Sequence, residues 1–397
     1  MSFALSLLTS LLLVAAVVLL VLVILLVVQV LAAGLQPIAD AAPLPTHRPS
    51  IAVLMPAHNE AAGIGAAITG VRAQLLPTDR LVVVADNCSD DTAATAVRAG
   101  AEVFVRTDTS ARGKSYALDF GIRALEAAPP EVVIIVDADC TVHPGALDRI
   151  AREALARARP MQASYLMLSP PKSPLKVRFA EFAWAFKSRG RAEGFWRLGL
   201  PCHLQGSGMA FPWPVIMSAP LASGHIAEDL QLGLDLALLG HLPLFCPAAR
   251  VSSEFPASAS GLESQRTRWE HGHLTTIVFN APRLLARSLV TGNIGLAALA
   301  FDLCVPPLAF LVLLLLSMLA LTGVAALLGS SPLAFEISML GLAALTTAIG
   351  LAWHRFGRAI LTFRELLTVP MHVLQKVSIY RRFFGNRQKE WVRTERD

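Results

Sequence analysis

A nearly unbroken apolar run, LLLVAAVVLLVLVILLVVQVLAAG, occupies residues 11–34, and its apolar character begins near Phe3. A helix needs about 20 such residues to cross the hydrocarbon core of a bilayer. A cleaved secretory signal is disfavoured, because the run is too long for one and no basic segment precedes it. We therefore expect residues 1–35 to form a retained transmembrane helix, and the rest of the fold must be compatible with a membrane anchor.

Two more apolar blocks, at residues 303–329 and 333–353, are also long enough to span a bilayer. They predict a region of two transmembrane helices over 293–354. From residue 355 onward apolar residues alternate with charged ones, which predicts an interfacial amphipathic helix and a basic cytoplasmic tail over 355–397. A fourth, irregular span over 357–380 is an open alternative.

Arginine-rich segments at 264–287 and 380–397 indicate the orientation, because basic loops are enriched on the cytoplasmic side of membranes. Two spans and an interfacial helix between these segments place both of them on that side. The first helix then runs from outside to inside. We expect an integral protein of the cell (inner) membrane whose catalytic region, residues 36–292, is cytoplasmic.

Charge is scarce in this chain, since only 16% of its 397 residues are charged, and the net charge is +5. No arginine-rich stripe is interleaved with aromatic residues, so we expect no nucleic-acid binding and attribute the basicity to contact with membrane lipid. Five scattered cysteines without C-x-x-C spacing are typical of a reducing compartment. Asp302 lies at the start of the second span, where an acid is either a functional group or close to the lipid headgroups.

The middle of the chain alternates between strand-like and helical segments. Continuous β-branched strands that alternate with helices predict a parallel sheet covered on both faces. Ligands of such α/β sheets bind beyond the carboxyl ends of the strands. The predicted strands are residues 51–57, 80–85, 101–106 and 131–136.

Polar residues follow all four predicted strands, which is the pattern expected of a nucleotide site. They are His58, Asn59 and Glu60, then Asp86, Asn87, Ser89 and Asp90, then Arg112 and Lys114, then Asp137 and Asp139. Asp137 and Asp139 point to the same side if the backbone is extended, and two carboxylates aimed at one point require a cation between them. Hard divalent ions with oxygen ligands fit, so the pair predicts Mg²⁺ or Mn²⁺ held against a diphosphate.

Five short motifs, taken in order, resemble the inverting, membrane-bound glycosyltransferases of family 2. This group contains the cellulose, chitin and hyaluronan synthases, exopolysaccharide synthases and the ceramide glucosyltransferases. The resemblance covers about residues 50–290, and Q-x-x-R-W is its most specific motif. The motifs are PAHNE (56–60), VVADNCSDDT (83–92), DAD (137–139), AED (227–229), where T-E-D is usual, and QRTRW (265–269).

The resemblance implies the GT-A fold, a Rossmann-like mixed sheet, flanked here by transmembrane helices. It also implies roles for the motif residues in transfer of a sugar from a nucleotide-sugar donor. Donor binding falls to Asp86, Lys114, Asp137 and Gln265, and metal binding to Asp137 and Asp139. Catalysis falls to Asp229, the general base, with Glu228 and Arg268, and acceptor binding to Trp269, Gly206, Ser207 and Gly208.

The acceptor is left open between two classes. The Q-x-x-R-W motif favours a growing polysaccharide, and the small membrane region favours a lipid, such as a polyprenyl phosphate or a ceramide-like lipid. Because so few spans cannot form a polymer channel alone, elongation would require self-association or an export partner protein.

Other classes of protein fit the sequence less well. A nucleotidyltransferase would show a glycine-rich signature after its first strand, where this chain has PAHNEAAG. A non-catalytic membrane component is disfavoured because all the acids and Arg268 are present. Taken alone, Glu228 and Asp229 would be explained as acids at the start of a helix.

Overall fold

The computed structural model describes residues 3–34, 44–256 and 258–385. These divide into two compact units that are described separately below. The helical unit comprises residues 3–34, 174–198 and 300–385, and the sheet unit comprises residues 44–173, 199–256 and 258–299. The stretch 174–198 lies in the middle of the sequence, and no feature of the sequence indicated that it belongs with the terminal helices.

The secondary structure alternates as expected in the first part of the sheet unit. The strands are β1 (Ile51–Ala57), β2 (Arg80–Asp86), β3 (Glu102–Arg106), β4 (Val132–Ile135), β5 (Thr141–Val142), β6 (Met161–Leu168), β7 (Met209–Pro212) and β8 (Leu244–Glu254). The helices are α1 (Phe3–Gly34), α2 (Ile64–Arg72), α3 (Thr92–Arg98), α4 (Lys114–Leu125), α5 (Ala146–Arg157), α6 (Leu175–Ala185), α7 (Glu193–Arg197), α8 (Trp213–Met217), α9 (Glu228–Leu238), α10 (Ala259–Thr291), α11 (Ile294–Cys304), α12 (Leu308–Leu327), α13 (Leu333–Ala352), α14 (Phe363–Leu366), α15 (Val369–Gln375) and α16 (Val377–Gly385). Two π-helical turns cover Phe186–Ala192 and Trp353–Gly357.

The sheet has eight strands in the order β3-β2-β1-β4-β7-β6-β8-β5. Its first four strands are parallel, as the sequence predicts. β7 then runs antiparallel to both β4 and β6, so the sheet as a whole is mixed. This is the Rossmann-like GT-A architecture, and the predicted fold class is confirmed.

The core on one side of the sheet forms where α4 packs on the central strands. Leu54, Val84, Leu118 and Phe211 are all buried in one cluster, and each such side chain contributes about 1.5–3 kcal/mol to folding. α4 approaches the strands closely at Gly121, where an added Cβ would lie 2.5 Å from Leu54 Cδ1. This close packing fixes the first residue of α4, Lys114, beyond the carboxyl ends of the parallel strands.

The helical unit contains three helices that are long and apolar enough to cross a membrane, at Leu7–Gly34, Leu308–Leu327 and Leu333–Gly357. The Thr9 hydroxyl lies 2.7 Å from that of Ser330, just before α13. At the other end, an added Cβ on Gly34 would lie 3.3 Å from the Arg355 guanidinium. α1 and α13 therefore run in the same direction, and Gly34 and Arg355 lie at the same end of the unit.

The segment that was expected to form one interfacial helix is instead broken into short helices. After the second π-helical turn come α14, α15 and α16, of 4, 7 and 9 residues. A capping box at Thr362 begins α14, and Pro370 lies in the first turn of α15, where a proline is tolerated. Each of these three helices is too short to cross a bilayer, which disfavours the fourth span considered for 357–380.

Candidate active site

Lys114 is the centre of the site. Its ammonium lies 2.5 Å from Asp137 Oδ1 and 3.8 Å from Glu228 Oε1, and it donates a hydrogen bond of 2.7 Å to the Gly206 carbonyl. These partners come from the turn after β4, the start of α9 and the loop before β7. The structure thus brings together residues that the sequence assigned separately to donor binding, catalysis and acceptor binding.

The electrostatics of this cluster are dominated by its acids. Burial acts to lower the pKa of Lys114, yet Asp137 and Glu228 outweigh it and hold that pKa above its ordinary value. Burial raises the pKa of Glu228 to about 7, the Lys114 ammonium opposes this rise, and Asp229 adds to it. Lys114 is therefore charged at neutral pH, and Glu228 titrates close to neutrality.

Asp137 and Asp139 lie close together, but not for the reason the sequence suggested. β4 ends at Ile135, and the Cys140 N–H donates to the Asp137 carbonyl at 3.0 Å, so the pair lies on a turn and not on extended backbone. Oxygens of both carboxylates and the Cys140 sulfur lie within 4.8 Å of one another. The predicted pairing is therefore present, although the predicted geometry was wrong.

This cluster fits a hard divalent cation. The Ser253 hydroxyl donates to Asp139 Oδ2 at 2.6 Å, and the Asp137 N–H donates to the Ser207 hydroxyl at 3.1 Å, so both aspartates are held in place. Burial raises the pKa of the Cys140 thiol well above its ordinary value, so it does not supply an anionic ligand. Two carboxylates and no thiolate suit Mg²⁺ or Mn²⁺.

The Gly206–Gly208 segment lies beside these acids. Both glycines have positive φ, +94° and +67°, a conformation that side chains with a Cβ rarely adopt. An added Cβ at Gly206 would lie 3.4 Å from Asp229 Oδ2, so Asp229 faces this segment. Gln162, which the sequence analysis missed, donates to the Ser207 carbonyl at 2.9 Å and accepts from the Gln205 N–H at 2.7 Å. The sequence feature that could have identified Gln162 is a polar glutamine within the largely apolar strand β6.

Asp86, one of the predicted donor-binding residues, has a different set of partners. Its side chain is buried at the end of β2 and forms an ion pair of 2.6 Å with Arg106, and Asn87 also donates to it at 3.0 Å. Arg106 in turn pairs with Asp108 at 2.9 Å. The sequence analysis did not single out Arg106, because it is the last residue of β3 and its partner lies on another strand.

The QRTRW motif lies on α10, close to the start of α9. An added Cβ on Gly272 would lie 3.0 Å from Ala227 Cβ, and Asn280 donates to Gln231 at 3.1 Å. The charge of Arg268 is one of the influences that lower the pKa of Glu228, which places the two near each other.

The polar residues of this motif have atoms available for a ligand. Gln265 is buried, and its Oε1 has no hydrogen-bond partner among the described residues; the buried Nε of Arg268 also has none. Buried polar atoms cost free energy when they are left unpaired. Trp269 packs edge-on against Phe255, with 6.5 Å between the ring centroids.

Comparison with known proteins identifies the relatives of this chain. Residues 47–272 match the model of a family described as glycosyltransferase like family 2. The chain is 26% identical over 243 residues to "Probable glycosyltransferase YdaM" of Bacillus subtilis (strain 168), a match that covers 57% of this chain and 55% of the relative. The chain thus spans about half the length of this curated relative.

A solved structure shows the same fold. The mannosyltransferase PcManGT from Pyrobaculum calidifontis, in complex with GDP-Man and Mn²⁺, aligns with a TM-score of 0.56 at 18% identity, covering 95% of this chain and 100% of that one. Glucosyl-3-phosphoglycerate synthase from Mycobacterium tuberculosis, in complex with Mn²⁺, UDP and glucosyl-3-phosphoglycerate, also aligns, at 19% identity with a TM-score of 0.39. That second alignment covers 60% of this chain and 80% of the synthase.

Proposed function

This chain belongs to glycosyltransferase family 2, and we propose that it is an inverting, metal-dependent hexosyltransferase. In this proposal it takes a sugar from a nucleotide-sugar donor, a UDP-sugar, and adds it to a growing polysaccharide. The reaction takes place at the cytoplasmic face of the cell membrane. One observation supports the proposal above all: Lys114 contacts Asp137, Glu228 and the Gly206 carbonyl at one point beyond the parallel strands.

In the proposed donor site, Asp137 and Asp139 hold a divalent metal, Mg²⁺ or Mn²⁺. When bound, such an ion neutralises charge on the diphosphate leaving group. Lys114 contacts the same diphosphate, and Asp86 lines the nucleoside end of the site while Arg106 fixes its orientation. Gln265 and Arg268 supply further polar contacts to the leaving group, which accounts for their unpaired buried atoms.

Asp229 is the proposed general base. It takes the proton of the acceptor hydroxyl as that oxygen bonds to the anomeric carbon, and the bond from this carbon to the donor phosphate breaks. The nucleoside diphosphate leaves with the bonding electron pair, and attack from the opposite face inverts the anomeric centre. Glu228, held by Lys114, keeps a second acid near the reacting atoms.

The acceptor pocket is proposed to lie between the Gly206–Gly208 segment and Trp269. Glycines allow the backbone to approach a sugar closely, and an indole ring is a suitable stacking surface for one. Gln162 positions the glycine segment through its two hydrogen bonds.

The cytoplasmic placement is also a proposal. α1 and α13 run in the same direction, so Gly34 and Arg355 lie at the same end of the helical unit. The arginine-rich tail follows that end in sequence, and basic residues are enriched on the cytoplasmic side of membranes.

A lipid acceptor, such as a polyprenyl phosphate or a ceramide-like lipid, is the second candidate. The observation that favours it is the presence of only three candidate spans in the described part of the chain. In that case each reaction adds a single sugar and no polymer is elongated. Polymer synthesis would instead require self-association or an export partner that completes a channel.

Sugar transfer by detergent-purified protein tests these proposals. The full chain is incubated with labelled UDP- and GDP-sugars and native lipid extract, with and without a chelator. We expect metal-dependent transfer, and Asp229→Asn should lower the rate at least about 100-fold because the proton acceptor is lost. Asp235→Asn, on the same helix, is the matched control and should retain activity.

The labelled products distinguish the polysaccharide acceptor from the lipid acceptor. Label in material of high molecular weight supports polysaccharide synthesis, and label that migrates with lipid as a single sugar supports the lipid acceptor. Transfer that survives chelation, or that is equal in Asp229→Asn and wild type, contradicts the assigned metal or base.

A further inference from the structure

Two π-helical turns lie against each other in the helical unit. They are Phe186–Ala192 and Trp353–Gly357, and the Arg189 guanidinium lies 5.4 Å from the centre of the Phe356 ring. π-Helix accounts for well under about 1% of residues in globular proteins, and short π-helical turns frequently occur at functional sites. Two of them in contact therefore call for an explanation that sugar transfer does not supply.

Basic side chains are concentrated on and beside these turns. They are Lys187, Arg189, Arg191, Arg197, Arg355 and Arg358. We call this set the π-turn cluster. Two acids lie close to members of the cluster in the described part of the chain: Glu193 lies 3.2 Å from Arg355 and 3.9 Å from Arg197, and Asp302 lies 2.8 Å from Arg191. Six basic side chains concentrated in one place create a positive potential that attracts anions.

Aromatic rings accompany the cations of the cluster. Lys187 lies 4.9 Å from the centre of the Trp184 ring, Arg197 lies 4.9 Å from that of Trp196, and Arg358 lies 5.6 Å from that of Trp353. Tryptophans next to long basic side chains are typical of the membrane–water interface, where an apolar body meets a polar layer. The composition of the cluster thus matches the depth of lipid phosphates.

The position of the π-turn cluster in the helical unit also agrees with the depth of lipid phosphates. Arg355 lies within the last turn of the candidate span Leu333–Gly357 and next to Gly34, where the candidate span Leu7–Gly34 ends. Both helices run in the same direction, so the cluster surrounds the ends of two spans together. Basic pockets between transmembrane helices are suited to anionic headgroups.

We propose that the π-turn cluster is a binding site for the phosphate headgroup of an anionic phospholipid of the surrounding bilayer. Arg189 and Arg358 are exposed and contact the phosphate, and their aromatic partners hold the guanidinium groups in place. Glu193 and Asp302 orient the remaining arginines. The site is distinct from the transfer site and does not require that the transfer reaction be correctly assigned.

Native mass spectrometry of the detergent-purified full chain tests the proposal, with titration of phosphatidylglycerol and of phosphatidylcholine. We expect phosphatidylglycerol to bind preferentially. Arg189→Gln/Arg358→Gln should weaken its binding about 30-fold, because each basic residue near a membrane surface contributes about a factor of five. The matched control is Arg98→Gln/Arg123→Gln, which removes two exposed arginines from the sheet unit and should bind as the wild type does.

Other outcomes overturn the proposal. Equal binding of the two phospholipids, or equal loss in the control, would show a non-specific effect of charge. A polyprenyl phosphate that displaces phosphatidylglycerol at equimolar concentration would assign the cluster to an acceptor lipid. If the glutamine variant does not fold, Arg189→Lys/Arg358→Lys replaces it. We expect this variant to have a weaker preference for phosphatidylglycerol although the charges are retained, and binding equal to that of the wild type contradicts the guanidinium contacts. Because the titration is done in the Asp229→Asn background, its result does not depend on sugar transfer.

Discussion

Two buried ion-pair clusters in this protein, one in each unit, differ in their balance of charge. In the sheet unit, Lys114 contacts Asp137 and Glu228, and Asp139 and Asp229 lie near them, so acids exceed the central cation. In the helical unit, Asp302 accepts hydrogen bonds from Gln29 at 2.7 Å and from Arg191 at 2.8 Å. There the acid is paired with an arginine and hydrogen-bonded to an amide.

This difference in charge balance distinguishes a site that binds ligands from an ion pair that holds helices together. A balanced ion pair in a buried setting has little to gain from a further ion, and breaking it is costly. An excess of carboxylates is stabilised by added cations, which is the property that a metal and diphosphate site requires. The Asp302 cluster therefore resolves the question left by the sequence in favour of a structural role, because the acid is only 6% exposed and paired within its own unit.

Replacing the central cation should give the largest effect. Lys114→Met leaves Asp137 and Glu228 without the charge between them and removes the proposed diphosphate contact, so kcat/KM should fall about 1000-fold. Steady-state kinetics with the donor identified by the transfer assay would measure this. Lys172→Met, at an exposed loop lysine, is the control, and comparable loss in both variants would contradict the assignment of Lys114.

Breaking the Asp302–Arg191 ion pair should lower the stability of the protein and leave sugar transfer unchanged. Asp302→Asn leaves the Arg191 guanidinium without its anionic partner, which should lower the free energy of unfolding by about 3 kcal/mol. Thermal unfolding in detergent, with transfer activity per folded molecule, would test this. The double variant Arg191→Met/Asp302→Leu should recover much of the loss, and a specific loss of activity without a loss of stability would instead give Asp302 a functional role.

The smallest predicted effect is a change in stability when Glu228 is replaced, and the size of this change should depend on pH. Burial raises the pKa of Glu228 from an unfolded value of 4.5 to about 7 in the folded protein. The stability that protonated Glu228 contributes is complete below pH 4.5 and is lost as the pH rises through 7. Glu228→Gln should therefore be more stable than the wild type by about 2 kcal/mol at pH 8, and by much less at pH 5.

Unfolding midpoints at the two pH values would measure this difference. Glu126→Gln, which changes an exposed carboxylate immediately after the helix that carries Lys114, is the control. A stability difference that does not change with pH would mean that Glu228 is not the titrating group.

The fold was largely predictable from local patterns. β1 has the predicted bounds, and β2, β3 and β4 agree with the predicted strands to within one residue at each end. These strands are buried β-branched runs bounded by polar turns, so their own sequence identifies them. The antiparallel strand β7 was not predicted, since its four residues, MAFP, lack a distinctive pattern and depend on pairing with β4.

The site was predictable in composition and less so in geometry. The motifs identified the residues that gather around Lys114, but the Asp137 and Asp139 pair lies on a turn, and the predicted interfacial helix is divided into short helices. Arg106 was missed because its partner, Asp86, lies on another strand, and Gln162 was missed because its partners lie on the loop before β7. The roles of the motif residues remain proposals for the experiments above to test.

The sequence by itself determined the apolar spans, the alternation of strands and helices and the motif residues, since periodicity and propensity act over a few neighbouring residues. Only the tertiary structure decided which charges meet. Lys114 and the Gly206 carbonyl are 92 residues apart, Arg191 and Asp302 are 111 apart, and Gln29 and Asp302 are 273 apart. Contacts over such separations form because packing brings whole elements together, and no local pattern in the chain encodes them.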